Sequence, residues 1–228
     1  MLQAICLVPL VLLSVLVAGC VSEGPLRNVY LLSLEYQTVQ IRIGYFTLCV
    51  AAQTSDWICG REVPIQSPPS SADPWNLVGF ADRYRHQVVF AGLALTSAVL
   101  MLLLILAIAT FPRWRTELDY NTEDGASQEP EERFVKPFPS RHVLIICLLV
   151  ALLGALLSLV AAVWQHSSAT STATTIAFIT RGEVRATIGA AATALVWLAF
   201  GVCLVVAVLL SNLCLSIAMF TSFVENLD

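Results

Sequence analysis

The chain has 228 residues, of which 57% are hydrophobic and only 12% are charged, and its formal net charge is -4. Soluble domains carry about 25% charged residues, so this composition excludes an ordinary soluble protein and indicates an integral membrane protein. The charge is spread along the chain and leaves no basic patch for nucleic acid. We therefore expect a lipid bilayer, and no nucleic acid, as the main partner.

The first apolar run, residues 2–20, contains no Lys, Arg, Asp or Glu. Its length is near the roughly 20 residues that cross a bilayer as a helix, so it is predicted to be transmembrane helix 1. A signal peptide is the alternative, because Val17-Ala18-Gly19 offers small residues at a cleavage site, although no basic segment precedes the run. The string that ends at Cys20 also matches, weakly, a bacterial lipoprotein acylation site.

Residues 21–87 form the first polar region and are predicted to be extracellular loop 1. Apolar and polar residues alternate from Val39 to Tyr45, which is the pattern of a half-buried strand. Residues 29–36 are its expected neighbour. Two or three such strands would make a small extracellular β-sheet that rests on the helix ends. The prolines and serines between residues 64 and 74 predict a return loop.

Two cysteines in this loop, Cys49 and Cys59, enclose nine residues. They can form a disulfide if their strands turn back on each other, and such a bond requires an oxidising compartment. This pair therefore favours a loop outside the cytosol. Two unpaired thiols are the alternative. The other cysteines lie in or beside apolar runs, where a thiol behaves as a small hydrophobic group.

Three further apolar runs divide the rest of the chain. Arg113 and Arg115 directly follow the second run, and basic residues favour the cytosolic side of a membrane. The region between the second and third runs is rich in acids, prolines and serines and is predicted to be disordered. The predicted segments are transmembrane helices at 88–111, 143–164 and 188–210, a cytosolic linker at 112–142, extracellular loop 2 at 165–187 and a cytosolic tail at 211–228.

Small residues recur at helical spacing in the last two predicted spans. Such residues let two helices approach closely, so helix packing is their expected role. The residues concerned are Ala151, Ala155, Ser158 and Ala162 in the third span and Gly189 and Gly201 in the fourth.

No enzyme signature is found. The three histidines are scattered, with no metal-binding spacing, nucleophile elbow or phosphate-binding glycine loop. We expect no catalytic residue, no metal ligand and no cofactor. The loop acids are also too dispersed for a dedicated calcium site. These histidines and acids are His86, His142, His166, Asp56, Glu62 and Asp73.

One motif in loop 1 resembles a known signature. It resembles the first-loop signature of the claudin-like tetraspan proteins and, more narrowly, that of the fungal family of low-affinity calcium-influx regulators that promote membrane fusion in mating. Thr47 is a departure, because family members often carry Gly there. The matching residues are Gly44, Tyr45, Phe46, Leu48, Cys49, Trp57 and Cys59.

The four predicted spans, with loop 1 outside, already place both termini in the cytosol, and the resemblance implies a fold class and a location that agree with this. The chain is expected to be an all-α membrane protein with four transmembrane helices in a claudin-like arrangement and a small disulfide-stapled β-sheet in the first extracellular loop. It would lie in the plasma membrane of a fungus with both termini cytosolic. It would regulate calcium influx and cell fusion together with a calcium channel or another membrane protein, and self-association into a homo-oligomer is left open.

The residues of the spans bear on how such a protein would act. Calcium channels line their pores with carboxylates, and the predicted spans contain no Asp, Glu, Lys or Arg. We therefore expect a regulator that is not itself a pore. The alternative function is that of a structural tetraspan that organises a membrane domain or senses the cell wall.

Overall fold

The computed structural model describes residues 2–21, 24–52, 57–60, 75–109 and 141–225. These residues form helices, one antiparallel sheet and a turn of 3-10 helix, Pro25–Asn28. The helices are α1 Leu2–Val17, α2 Leu77–Gln87, α3 Ala91–Ala109, α4 Arg141–Ile179 and α5 Ala190–Glu225. The strands are β1 Leu32–Tyr36, β2 Val39–Ile43, β3 Leu48–Ala52, β4 Trp57–Cys59 and β5 Arg185–Ile188.

Three of the described helices contain segments long and apolar enough to cross a membrane, namely Ala91–Ala109, His142–Ile179 and Ala190–Met219. Large apolar side chains such as Leu149 and Leu156 remain exposed on them, as expected where lipid replaces water. The chain is therefore a multi-pass membrane protein. The apolar α1 has 16 residues and packs against α3 and α5.

Small and sulfur-containing side chains fill the centre of the helix bundle. Ala151 and Ala155 of α4 are buried in one cluster with Met101 of α3 and Cys203 of α5. The Ser97 hydroxyl of α3 donates a hydrogen bond of 3.0 Å to a carbonyl of α4. Short side chains permit this close approach, because the backbones of adjacent helices can then come near each other.

The five strands lie in the order β4-β3-β2-β1-β5, and every pair is antiparallel. The alternation in β2 is present, since Val39, Ile41 and Ile43 are buried. Together with Leu34 of β1 they pack against α2 and against the outer part of α4, where Ile176 is buried. The sheet therefore rests on helix ends, as the sequence predicted.

The region predicted as a second short loop has a different structure. Helix α4 continues past residue 164 to Ile179, and β5 follows it and pairs with β1. Gln165, Ala169 and Ile176 are buried on one face of this extension, so packing against the sheet accounts for a helix in a Ser/Thr-rich segment. Helix α5 begins at Ala190 and likewise continues beyond residue 210.

Helix α2 occupies part of the predicted extracellular loop 1, and α3 begins three residues after the predicted start of its span, at Ala91. A sheet with the Cys49–Cys59 disulfide is present as predicted for that loop, but the loop supplies four strands instead of two or three, and β5 comes from the predicted second loop. Residues 112–140 of the predicted linker and the last two residues of the predicted span 88–111 lie outside the described residues, as do the proline-rich stretch and the acids Asp56, Glu62 and Asp73.

Candidate functional site

Residues Gly44 to Thr47 form the connection between β2 and β3, and the motif residue Leu48 begins β3. The Gly44 N–H donates to the Thr47 carbonyl at 2.9 Å and closes this turn. A Cβ atom at Gly44 would lie 2.6 Å from the Gly19 carbonyl oxygen and 2.9 Å from the Cβ of Cys20. Glycine is therefore required by the close approach of the turn to the end of α1.

Tyr45 attaches the turn to α4. Its buried hydroxyl donates a hydrogen bond of 2.8 Å to Oε1 of Gln165. Burial, with a smaller contribution from Tyr84, raises the pKa of Tyr45 above its usual range. The hydroxyl therefore stays protonated and remains a hydrogen-bond donor at physiological pH.

Phe46 attaches the turn to α2 through its backbone. Its carbonyl accepts a hydrogen bond of 2.7 Å from Nη1 of Arg85, while its ring is exposed. Asp82 holds the same guanidinium at 2.8 Å in a partly buried salt bridge. The next apolar motif residue, Leu48, is buried in the sheet core. The turn thus contacts two helices, α2 and α4, and the segment Gly19–Cys20 that follows α1.

The predicted disulfide is confirmed. Cys49 and Cys59 face each other across β3 and β4, with their Cα atoms 4.1 Å apart, and their sulfurs are bonded. Strand β4 has only three residues and lies at the edge of the sheet. The disulfide therefore fastens a short strand that few backbone hydrogen bonds could hold.

Trp57 of the motif interacts with arginines. The guanidinium of Arg42 lies 4.3 Å from the Trp57 ring centroid and 5.0 Å from that of Tyr30. Arg27 lies 5.8 Å from the same Trp57 ring. No sequence motif marks Arg27, Tyr30 or Arg42 as site residues. The strand register relates Arg42 to Trp57. Arg42 of β2 pairs with Cys49 of β3, and β3 pairs on its other side with β4, which contains Trp57.

A crevice lies where the turn meets the start of α3 and the middle of α4. It combines apolar walls with the polar groups of Tyr45, Tyr84, Gln165 and Ser168. Burial raises the pKa of Tyr84, while hydrogen bonds to Ser168 and Thr172 partly oppose this. Sequence reasoning missed this set, because its members lie far apart along the chain.

The described residues hold no group of three or more His, Cys, Asp or Glu side chains that could bind a metal ion. His86 approaches Asp82 at 3.5 Å, and His142 and His166 are exposed on α4. These three histidines are therefore not brought together. The loop acids considered for calcium lie outside the described residues.

The small residues predicted for helix packing differ in their surroundings. Ala151, Ala155, Ser158 and Ala162 are all buried within the bundle. At Gly189 an added Cβ would overlap the Tyr30 carbonyl. This glycine therefore allows the chain just before β1 to approach closely, and it does not pack against another helix. At Gly201 an added Cβ would meet no atom within 4 Å, so this position does not bring helices together.

This arrangement is that of a multi-pass membrane protein with a small disulfide-bonded sheet at one end of its helices. A family model described as "Ca2+ regulator and membrane fusion protein Fig1" matches residues 31–216. That match covers most of the chain, which therefore belongs to the Fig1 family, and it confirms the narrower of the two resemblances in loop 1. No curated protein matches the chain.

Proposed function

We propose that the protein is a four-span plasma-membrane protein that regulates calcium influx and membrane fusion during fungal mating, without catalysis and without being a pore itself. The observation that carries this proposal is the motif turn, whose contacts join the outer sheet to α2, to α4 and to the segment that follows α1. A partner that binds the sheet would be coupled through this turn to the packing of the helices. The Fig1 family name supplies the link to Ca2+ and to membrane fusion.

The packing of α1 supports its assignment as a fourth span. Its Cys6, Leu13 and Leu16 side chains are buried against α3 and α5, while Leu7 and Val11 are exposed on the opposite side. This is the pattern of a helix at the edge of a bundle in lipid. A helix of 16 residues is about 24 Å long, somewhat shorter than a hydrocarbon core of about 30 Å. With four spans, both termini lie on the side opposite the sheet, and we propose that this side is the cytosol.

Two features support a role as a regulator of a separate calcium pathway. The segments 91–109, 143–179 and 190–219 contain no Asp, Glu, Lys or Arg. Calcium requires oxygen ligands, usually carboxylates, to replace its hydration shell in a pore. Buried apolar side chains also fill the described bundle centre, including Met101, Leu104 and Leu210.

The test is the cytosolic calcium rise in pheromone-treated cells that lack the gene. We expect the rise to be lost on deletion, restored by the intact chain and reduced with Tyr45→Phe, which removes the hydrogen bond to Gln165. Tyr36→Phe is the matched control, because the Tyr36 hydroxyl contacts only exposed Gln37 among the described residues, and it should restore the rise.

Two results would overturn the proposal. An unchanged calcium rise after deletion would favour a structural tetraspan that organises a membrane domain. Calcium currents from the purified protein in planar bilayers would show that the protein conducts, and would contradict the role as a regulator only.

A further inference from the structure

Arg27, Tyr30, Arg42 and Trp57 lie together beside the disulfide, and we call them the arginine cluster. Arg42 is within 5.0 Å of the Tyr30 ring and 4.3 Å of the Trp57 ring, and Arg27 is 5.8 Å from Trp57. Stacking on aromatic rings fixes the plane of a guanidinium and leaves N–H groups at its edge available to acceptors.

Within the described residues, the cluster has more hydrogen-bond donors than acceptors. Arg42 donates through Nη1 to Asn28 Oδ1 at 2.8 Å and to the Arg27 carbonyl at 3.4 Å, while its Nε is buried with no hydrogen-bond partner. Among the described residues, Asp82 forms ion pairs with Arg85 and His86. Neither Arg27 nor Arg42 forms an ion pair with a carboxylate of those residues. Two positive charges beside one ring therefore favour an anion between them.

The cluster also lies at the level of a membrane surface. The Tyr30 carbonyl lies against Gly189, and the next residue, Ala190, begins an apolar span. Ala192 of that span is buried together with Ala94, near the start of α3. Helix α3 has 19 residues and is about 28 Å long, close to the thickness of the hydrocarbon core, so its start marks one surface of the bilayer.

We propose that the arginine cluster binds the phosphate of an anionic lipid headgroup in the leaflet on the side of the sheet. The planar fork of an arginine matches two phosphate oxygens, and Trp and Tyr are favoured at this depth of a membrane. A bound lipid would stabilise β4 and the connection at residues 24–31 on the bilayer. The proposal depends on the membrane placement of the spans and is independent of any role in calcium influx.

Native mass spectrometry of the detergent-solubilised full chain, titrated with dioctanoyl phosphatidic acid, tests this site. A charge-assisted hydrogen bond is typically strong enough that its loss should weaken lipid binding about tenfold in Arg27→Gln or Arg42→Gln. Arg27→Gln is the more informative variant, because the Arg27 side chain makes no described hydrogen bond that folding would lose. Arg83→Gln, which removes an exposed charge from α2, is the matched control and should bind as the native chain does.

The source of the phosphate is tested with two further probes. We expect dioctanoylglycerol, which lacks phosphate, to bind at least tenfold more weakly, and inorganic phosphate not to displace the lipid at equal concentration. Equal binding by Arg27→Gln and the native chain, or displacement by inorganic phosphate, would overturn the proposal. The lipid titration uses purified protein and does not depend on calcium influx. A negative lipid titration therefore leaves the calcium experiment valid, and a negative calcium experiment leaves the lipid titration valid.

Discussion

At the scale of single residues, the side chains and backbone of the loop motif make close contacts that few other residue types could make. Gly44 allows the turn to touch the backbone of Gly19, Tyr45 donates to Gln165, and the Phe46 carbonyl accepts from Arg85. The three contacts reach the segment after α1, helix α4 and helix α2, respectively. The residue types in the motif are therefore explained by partners that lie far away in sequence.

Replacing Gly44 with alanine should destabilise the fold. The new Cβ would collide with the Gly19 carbonyl and with Cys20, and overpacking of this kind typically costs about 1–3 kcal/mol. Gly201→Ala is the control, since an added methyl there meets no atom within 4 Å. Thermal unfolding of the two purified variants measures the difference. Equal midpoints would contradict the close approach at Gly44.

Replacing Tyr45 with phenylalanine should lower the free energy of unfolding by about 1–3 kcal/mol, because the Gln165 oxygen loses its buried donor. The folded protein also holds the Tyr45 proton more tightly than the unfolded chain, whose tyrosines titrate near pH 10. Native stability should therefore fall as the pH rises above about 10, and this slope should be smaller in Tyr45→Phe. Identical slopes in denaturant titrations at several alkaline pH values would contradict this account.

At the scale of elements, the sequence predicts some features of the sheet and hides others. The alternation in β2 and the spacing of Cys49 and Cys59 are local signals, and both agree with the structure. Strand β5 has four residues and forms by pairing with β1, which is distant in sequence. No local sequence pattern therefore predicts it. Helix α2 does carry a signal, because Leu77, Ala81 and Tyr84 are buried at helical spacing, but its charged residues make it look like loop.

Removing the disulfide should release the edge of the sheet. With Cys49→Ala and Cys59→Ala combined, we expect a loss of about 2–5 kcal/mol of stability, because β4 would then be held mainly by its three backbone pairs with β3. Trp57 would also lose its fixed position over Arg42. Cys214→Ala, at a free and partly buried cysteine, is the control. Limited proteolysis should cut the double variant faster near β4, and an unchanged digestion pattern would argue against a stapling role.

At the scale of the whole molecule, the helices differ in length for a physical reason. Helix α3 is about 28 Å long and matches the bilayer, whereas α4 has 39 residues and is about 58 Å long. The excess of α4 extends beyond the membrane and buries Ile176 against the sheet. Hydropathy locates the apolar part of such a helix, but it cannot locate its end, because the outer part is stabilised by the sheet and not by lipid.

The proposed four-span topology predicts where labels can reach. Glu183 lies exposed in the turn before β5, and Ser216 lies exposed near the other end of α5. A cysteine at position 183 should react with an impermeant maleimide on intact cells. A cysteine at position 216, and a tag on the N terminus, should be reached only after permeabilisation. The native chain is the control for background labelling. Four of its free cysteines are buried, and the fifth, Cys214, lies near Ser216 and so on the same side of the membrane. A tag accessible on intact cells would mean that α1 does not cross the bilayer, while labelling at position 216 without permeabilisation would contradict the crossing of α5.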